Sequence, residues 1–263
     1  MKKNKPQAIS AGDTFKSKSG AECRVIEFIR WDKVRVEFVD KYKHTMTVTS
    51  SALGSGSFKN PYHPAIYGIG FPGVGIYSAT SGGKITPAYD IWHSMIQRCY
   101  SEKSQKNLPA YIGCTVSPDW HNFQTFAKWF YENRIEGFDL DKDLIKMGNK
   151  EYHPELCSFV PPEVNRLLTD CRRSRGAYPV GVSRHGSGYR AHINLGGHRA
   201  SLGTYKTPEE ASRVYRREKE LRVRRVAEEY KDSLDPRVYK NLMEYKVPLE
   251  DIINDNAKNT DPA

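Results

Sequence analysis

Residues Tyr178 to Tyr215 read YPVGVSRHGSGYRAHINLGGHRASLGTYKTPEEASRVY: three short strand-like runs joined by glycine turns, then a helix with its start signal written out. Successive side chains of a strand point to opposite faces. Tyr189, Ala191 and Ile193 therefore share one face, and Arg190, His192 and Asn194 the other. Across a turn built on Gly196 and Gly197, Ala200 and Leu202 join the apolar face while Arg199 and Ser201 stand beside the polar set. Thr207, followed by Pro208 and three residues on by Glu210, is a capping box with proline at the first helical position. Ala211, Val214 and Tyr215 give that helix an apolar stripe for the sheet. The expectation is a three-stranded antiparallel sheet packed on a helix, with a polar and basic face left for a partner.

The charge balance says what kind of partner that is. Arg172 to Lys240 holds 17 Lys and Arg against 8 Asp and Glu, a net +9 out of the +10 of the 263-residue chain. A concentrated positive field attracts polyanions, with an affinity that falls with salt as counterions are released. A solvated helix accounts for Arg213 to Lys219. It does not account for the strand arginines, for which the plain alternative is a sheet face that meets only water.

Gly181-Val182, Tyr189-Arg190-Ala191, Leu202-Gly203-Thr204-Tyr205 and Thr207-Pro208-Glu209-Glu210-Ala211 together resemble the ethylene-response-factor (APETALA-type) DNA-binding domain. That domain also closes phage and mobile-element endonucleases. The resemblance implies a sheet that enters the major groove of double-stranded DNA. It places Ser183, Arg184, His192, Asn194, Arg199 and Ser201 at the interface, with Arg190 beside them. Where the plant domains have more arginines and two tryptophans, this chain has Val180, His192 and Ser201, so the resemblance implies backbone binding more than base readout.

The length allows one large or two to three small domains in a polar, globular composition. No apolar run approaches the roughly 18 residues of a membrane span, and Met1-Lys2-Lys3-Asn4-Lys5 leads into no signal segment, so the expected location is cytoplasmic, with no membrane partner. Cys23, Cys99, Cys114, Cys157 and Cys171 are odd in number and widely spaced, which favours buried thiols over disulfides or a zinc site from Cys99, Cys114, Cys157 and a histidine.

The expected class is α+β and multidomain. Residues 1–60 read as a small β-barrel accessory domain, because Val34, Val36 and Phe38 alternate with Lys33, Arg35 and Glu37 between two further strand-like runs. Residues 61–86 read as a Gly/Ser/Pro-rich linker. Gly68-Ile69-Gly70-Phe71-Pro72-Gly73 inside it matches a dinucleotide fingerprint by letter, yet Pro72 interrupts the turn and no helix follows, so no small-molecule cofactor is expected. In residues 87–171, Ile91, Trp92, Met95, Ile96 and Cys99 predict one helix, and Trp120, Phe123, Phe126, Ala127, Trp129 and Phe130 a second. Residues 172–232 hold the basic sheet and helix, and 233–263 a last helix from Asp235-Pro236 and a polar tail from Asn254.

Phe138 to Asp143, Gly148-Asn149 and Tyr152 to Phe159, taken with Tyr89, Trp92, Met95, Arg98-Cys99-Tyr100, Trp120 and Phe123, resemble the phage H-N-H-like (ββα-type) homing endonucleases. That resemblance implies phosphodiester hydrolysis with one divalent metal, magnesium or manganese. It implies Asp141 as the metal-binding acid. Lys142 stands where an active member has histidine, and Leu156 where a later asparagine is usual. Asp143, Asn149 and His153 are the nearby candidates to supply a ligand or base, giving a catalytic set of Asp141, Lys142, Asp143 and His153 and a metal set of Asp141 and Asn149. A lysine is charged near neutral pH unless it is buried, which makes it a poor general base but a good phosphate contact. Two readings stay open: a metal-dependent DNA endonuclease, or a DNA-binding protein that keeps the nuclease fold without turnover. A third is an interaction protein working through the barrel and the Gly-rich linker segment.

Overall fold

The computed structural model describes residues 8–168, 178–195 and 198–248. The Gly196-Gly197 turn, Cys171, Arg172, the N-terminal lysines and the tail from Asn254 lie outside them. The protein is α+β, with several small sheets, and divides into two compact units: residues up to Glu132 with Lys150–Pro154, and Asn133–Asn149 with Glu155 onward.

The first unit opens with four strands, β1 (Thr14–Lys16), β2 (Glu22–Arg30), β3 (Lys33–Phe38) and β4 (Thr45–Val48), in an antiparallel meander of that order. Alternation buries Cys23, Val25, Val34, Val36 and Phe38 on one face. The edges β1 and β4 do not pair, so the expected barrel is an open sheet. Edge strands of three and four residues are too short to close one; instead helix α1 (Ser50–Ser55), capped by the Thr49 hydroxyl, brings Leu53 over the core, and Phe58 follows it there. Burial pushes the Cys23 thiol up to about 11, which leaves it an inert core group.

The stretch expected to be a linker is packed. Tyr62 stacks on Tyr42 at 4.4 Å, Asn60 Nδ2 donates to Asp40 Oδ2 at 2.6 Å, and Phe71 is buried and bridged to Asn122. Gln124 donates to the Tyr77 carbonyl at 2.9 Å and accepts from the Tyr77 N–H at 3.0 Å. The hairpin β5 (Thr80–Ser81) and β6 (Lys84–Ile85) leads into α2 (Pro87–Tyr100), started by Pro87. After α3 (Glu102–Asn107) and β7 (Thr115–Val116), helix α4 (Phe123–Asn133) completes an aromatic core in which Trp92, Met95, Ile96, Trp120, Phe123, Phe126 and Phe130 are fully buried. The Trp92 indole N–H donates to the Trp120 carbonyl at 2.7 Å.

In the second unit β8 (Asp139–Asp141) pairs antiparallel with β10 (Ser158–Val160), and α5 (Pro162–Leu167) follows at once; β9 (Glu151–Tyr152) between them belongs to the first unit, parallel to β7. Then come β11 (Val182–His185), β12 (Gly188–Leu195) and β13 (His198–Tyr205), antiparallel in that order, α6 (Pro208–Glu229) and α7 (Pro236–Met243). The Thr207 hydroxyl accepts from Glu210 N and the Glu210 carboxylate accepts from Thr207 N, so the capping box forms on both sides. Helix α6 serves two cores. Its first turns bring Ala211 and Val214 to Val182 and Ala191 of the sheet, and its second half brings Val223, Val226 and Ala227 to Leu144, Val160, Val164, Val238 and Leu242. Among the described residues no disulfide forms, and no helix is long and apolar enough to cross a membrane.

Candidate nucleic-acid interface

Strand register decides which side chains of the basic sheet share a face. Ser183 pairs with Arg190, His192 with Ser201, and Asn194 with Arg199, so these six expected contacts lie together on the side away from α6. Arg184 does not join them. It pairs with Tyr189 on the packed side, donating to the Tyr189 hydroxyl at 2.8 Å with its guanidinium 5.0 Å from the ring centroid. Neighbours in a strand face opposite ways, so Ser183 and Arg184 cannot share one surface.

A bulge on β13 extends the polar face. The pairing shifts between Ala191, opposite Gly203, and His192, opposite Ser201, with Gly203 at φ 118°. The shift brings Thr204 opposite Arg190. Sequence alternation alone missed Thr204, and the only signal for it is the glycine at 203. His185, also unanticipated, contacts the Arg190 guanidinium.

His192 lies between two arginines. The Arg199 guanidinium donates to its ring, and partial burial, then Arg199 and Arg190, hold the imidazole below its ordinary range, against a backbone hydrogen bond. At neutral pH the group is an uncharged acceptor that orients Arg199. The face therefore carries two guanidinium groups, each steered by a histidine, beside hydroxyls and an amide, which is the donor set that phosphate oxygens take.

Gly181 holds the sheet to the helix. It sits at φ 74°, its carbonyl accepts from His192 N at 2.8 Å, and a Cβ there would lie 2.1 Å from the Tyr215 ring. Gly181→Ala is expected to cost about 1–3 kcal/mol through strain and overpacking, read by chemical denaturation of the purified variant. An unchanged midpoint would show that Tyr215 is free to move aside.

The segment around Asp141 is arranged differently from a metal centre. Asp141 Oδ1 accepts from Asp143 N at 2.8 Å and Leu144 N at 2.7 Å, closing the turn after β8. Burial raises the Asp141 pKa, and the neighbouring Asp143 adds to that, against the two backbone N–H groups and Lys142. The Lys142 ammonium, with its side chain only 9% exposed, donates to both Asp143 oxygens at 2.7 Å and to the Asn149 carbonyl at 3.2 Å. Asn149 Nδ2 in turn donates to the Lys142 carbonyl at 2.8 Å. Asp143, one of the candidate ligands, is thus paired with an ammonium, Asp141 Oδ1 is taken by the two backbone N–H groups of its turn, and a dication beside Lys142 would be repelled. Among the described residues no three His, Cys, Asp or Glu side chains stand close enough to hold a metal. The arrangement lends no support to the expected magnesium or manganese. His153 belongs to the Lys150–Pro154 segment of the first unit, beside β9.

The pair is asymmetric, since Asp143 is 46% exposed. Asp143→Asn strips the countercharge from a nearly buried ammonium and is expected to cost about 1–3 kcal/mol, whereas Lys142→Met leaves a carboxylate that water reaches and should cost less. Denaturant midpoints of the two variants check the order; equal losses would mean the ammonium rehydrates freely.

No protein-family model matches the chain. Searches of the curated proteins and of the solved structures likewise return no match.

Proposed function

We propose that the chain is a double-stranded-DNA-binding protein of the phage H-N-H-like endonuclease type. It grips the duplex with the face of β11–β13 and keeps the strand–strand–helix element of β8, β10 and α5 without a metal. The observation that carries the reading is the register that gathers Ser183, Arg190, His192, Asn194, Arg199, Ser201 and Thr204 on one face. The concentrated positive charge around it supplies the attraction. Bases and phosphates meet a rigid surface, because the opposite face of the sheet is fixed on α6.

Lys142 supports the reading without turnover. Its ammonium takes the carboxylate oxygens of Asp143, and a charged lysine does not abstract a proton from water at neutral pH. The metal-dependent endonuclease is the competing reading. Incubation with supercoiled plasmid in magnesium, in manganese and in chelator is expected to give a salt-sensitive shift and intact plasmid in all three. Metal-dependent nicking that Asp141→Ala abolishes would restore the endonuclease, and absence of any shift at low salt would remove DNA as the partner.

A further inference from the structure

The solvent side of α6 carries a second basic surface. Arg213, Arg216, Arg217, Glu220 and Arg224 recur at helical spacing and, with Lys246 from the segment after α7, line an open groove of about 590 Å³. The groove is held in shape. Glu220 accepts from Lys246 Nζ at 3.0 Å, Val247 N at 3.3 Å and Arg224 Nη2 at 3.5 Å, while Arg224 Nε donates to the Met243 carbonyl at 3.1 Å. Arg213, Arg216 and Arg217 are different: among the described residues none of them takes part in an ion pair, and Arg216 Nε is buried with no hydrogen-bond partner. Five cations against one carboxylate repel one another, which costs helix stability unless an anion is brought in.

On the helical wheel these residues lie opposite Ala211 and Val214, the side that holds the sheet. The polar face of the sheet looks the other way again, so helix and sheet both separate the two basic surfaces. One straight duplex cannot lie on both. From Arg213 to Arg224 the groove runs about 16 Å at helical rise, room for four or five phosphates of a strand that presents one per roughly 3.4 Å of axis.

Resting on the DNA-binding reading above, we propose that this groove is a second phosphate-backbone site, which takes a different DNA segment from the one on the sheet, so that one chain holds two duplexes. The test is the number of short duplexes bound per full-length chain at low salt, by native mass measurement, for the wild type, for R213Q/R217Q and for R190A/R199A. Both groove arginines are exposed, so their replacement leaves the core intact. The expected result is two duplexes for the wild type and one for each variant, with second-site affinity in R213Q/R217Q lower by roughly tenfold. One duplex for the wild type and an unchanged R213Q/R217Q would overturn the groove and leave the sheet reading standing. One duplex lost in R213Q/R217Q but kept in R190A/R199A would remove the sheet and keep the groove. A second duplex that binds only after Glu250, Asp251 and Asp255 are changed to their amides would make the chain's own acidic tail the occupant and overturn the proposal.

Discussion

Replacing Arg190 and Arg199 together by alanine is expected to weaken binding of a short duplex to the sheet by about 100-fold near 0.1 M salt, from roughly 1–3 kcal/mol per arginine contact. The salt dependence should become shallower by about two units of slope, one for each phosphate no longer neutralised. Arg184→Ala is the control. Its guanidinium covers Tyr189 on the other side of the sheet, so its loss should shift affinity far less. Fluorescence anisotropy titrations at several salt concentrations read all three quantities. If Arg184→Ala weakens binding as much as the double variant, the register assigns the wrong face; if neither does, the sheet is a solvated surface.

The largest stability effect is expected in the first unit. Trp92 is fully buried, lies 5.4 Å from the Phe123 ring centroid and donates to the Trp120 carbonyl. Trp92→Ala removes a large side chain from a packed aromatic core and should cost about 3–5 kcal/mol. Trp92→Phe keeps most of the volume but leaves the Trp120 carbonyl without its donor, a loss of about 1–3 kcal/mol. Tryptophan fluorescence isolates the effect, because all four tryptophans, Trp31, Trp92, Trp120 and Trp129, belong to this unit. A Trp92→Ala variant whose fluorescence transition moves by less than about 1 kcal/mol would mean that the core collapses around the gap.

Local signals were legible where the physics is local. Alternation along β12 buries Ala191 and Ile193, and the letters Thr207-Pro208 and Glu210 place the start of α6 because a cap depends only on residues within one turn. Closure of the N-terminal sheet was not legible, because alternation reports which face is buried and says nothing of whether β1 meets β4. Glycine and proline in 61–86 announced turns correctly, yet what those turns rest on, Gln124 and Asn122, lies about fifty residues away. Around Asp141 the resemblance implied a metal site, but a match of letters does not tell whether Lys142 points outward to a phosphate or inward to Asp143; the fold turns it inward. The groove on α6 escaped for a similar reason, since its arginines read as an ordinary exposed stripe until Lys246 and Glu220 close one wall.

The helix shared by two cores has an evolutionary consequence. A cassette that moves between proteins must carry every surface that its own interior needs, and a cut after the first turns of α6 would leave Val223, Val226 and Ala227 behind with Leu144, Val164, Val238 and Leu242. The sheet with α6 alone would instead bare that apolar stripe to water. The basic sheet is therefore no detachable cassette: moving it whole would require α7, the β10–α5 element and the Leu144 turn after β8 to travel with it.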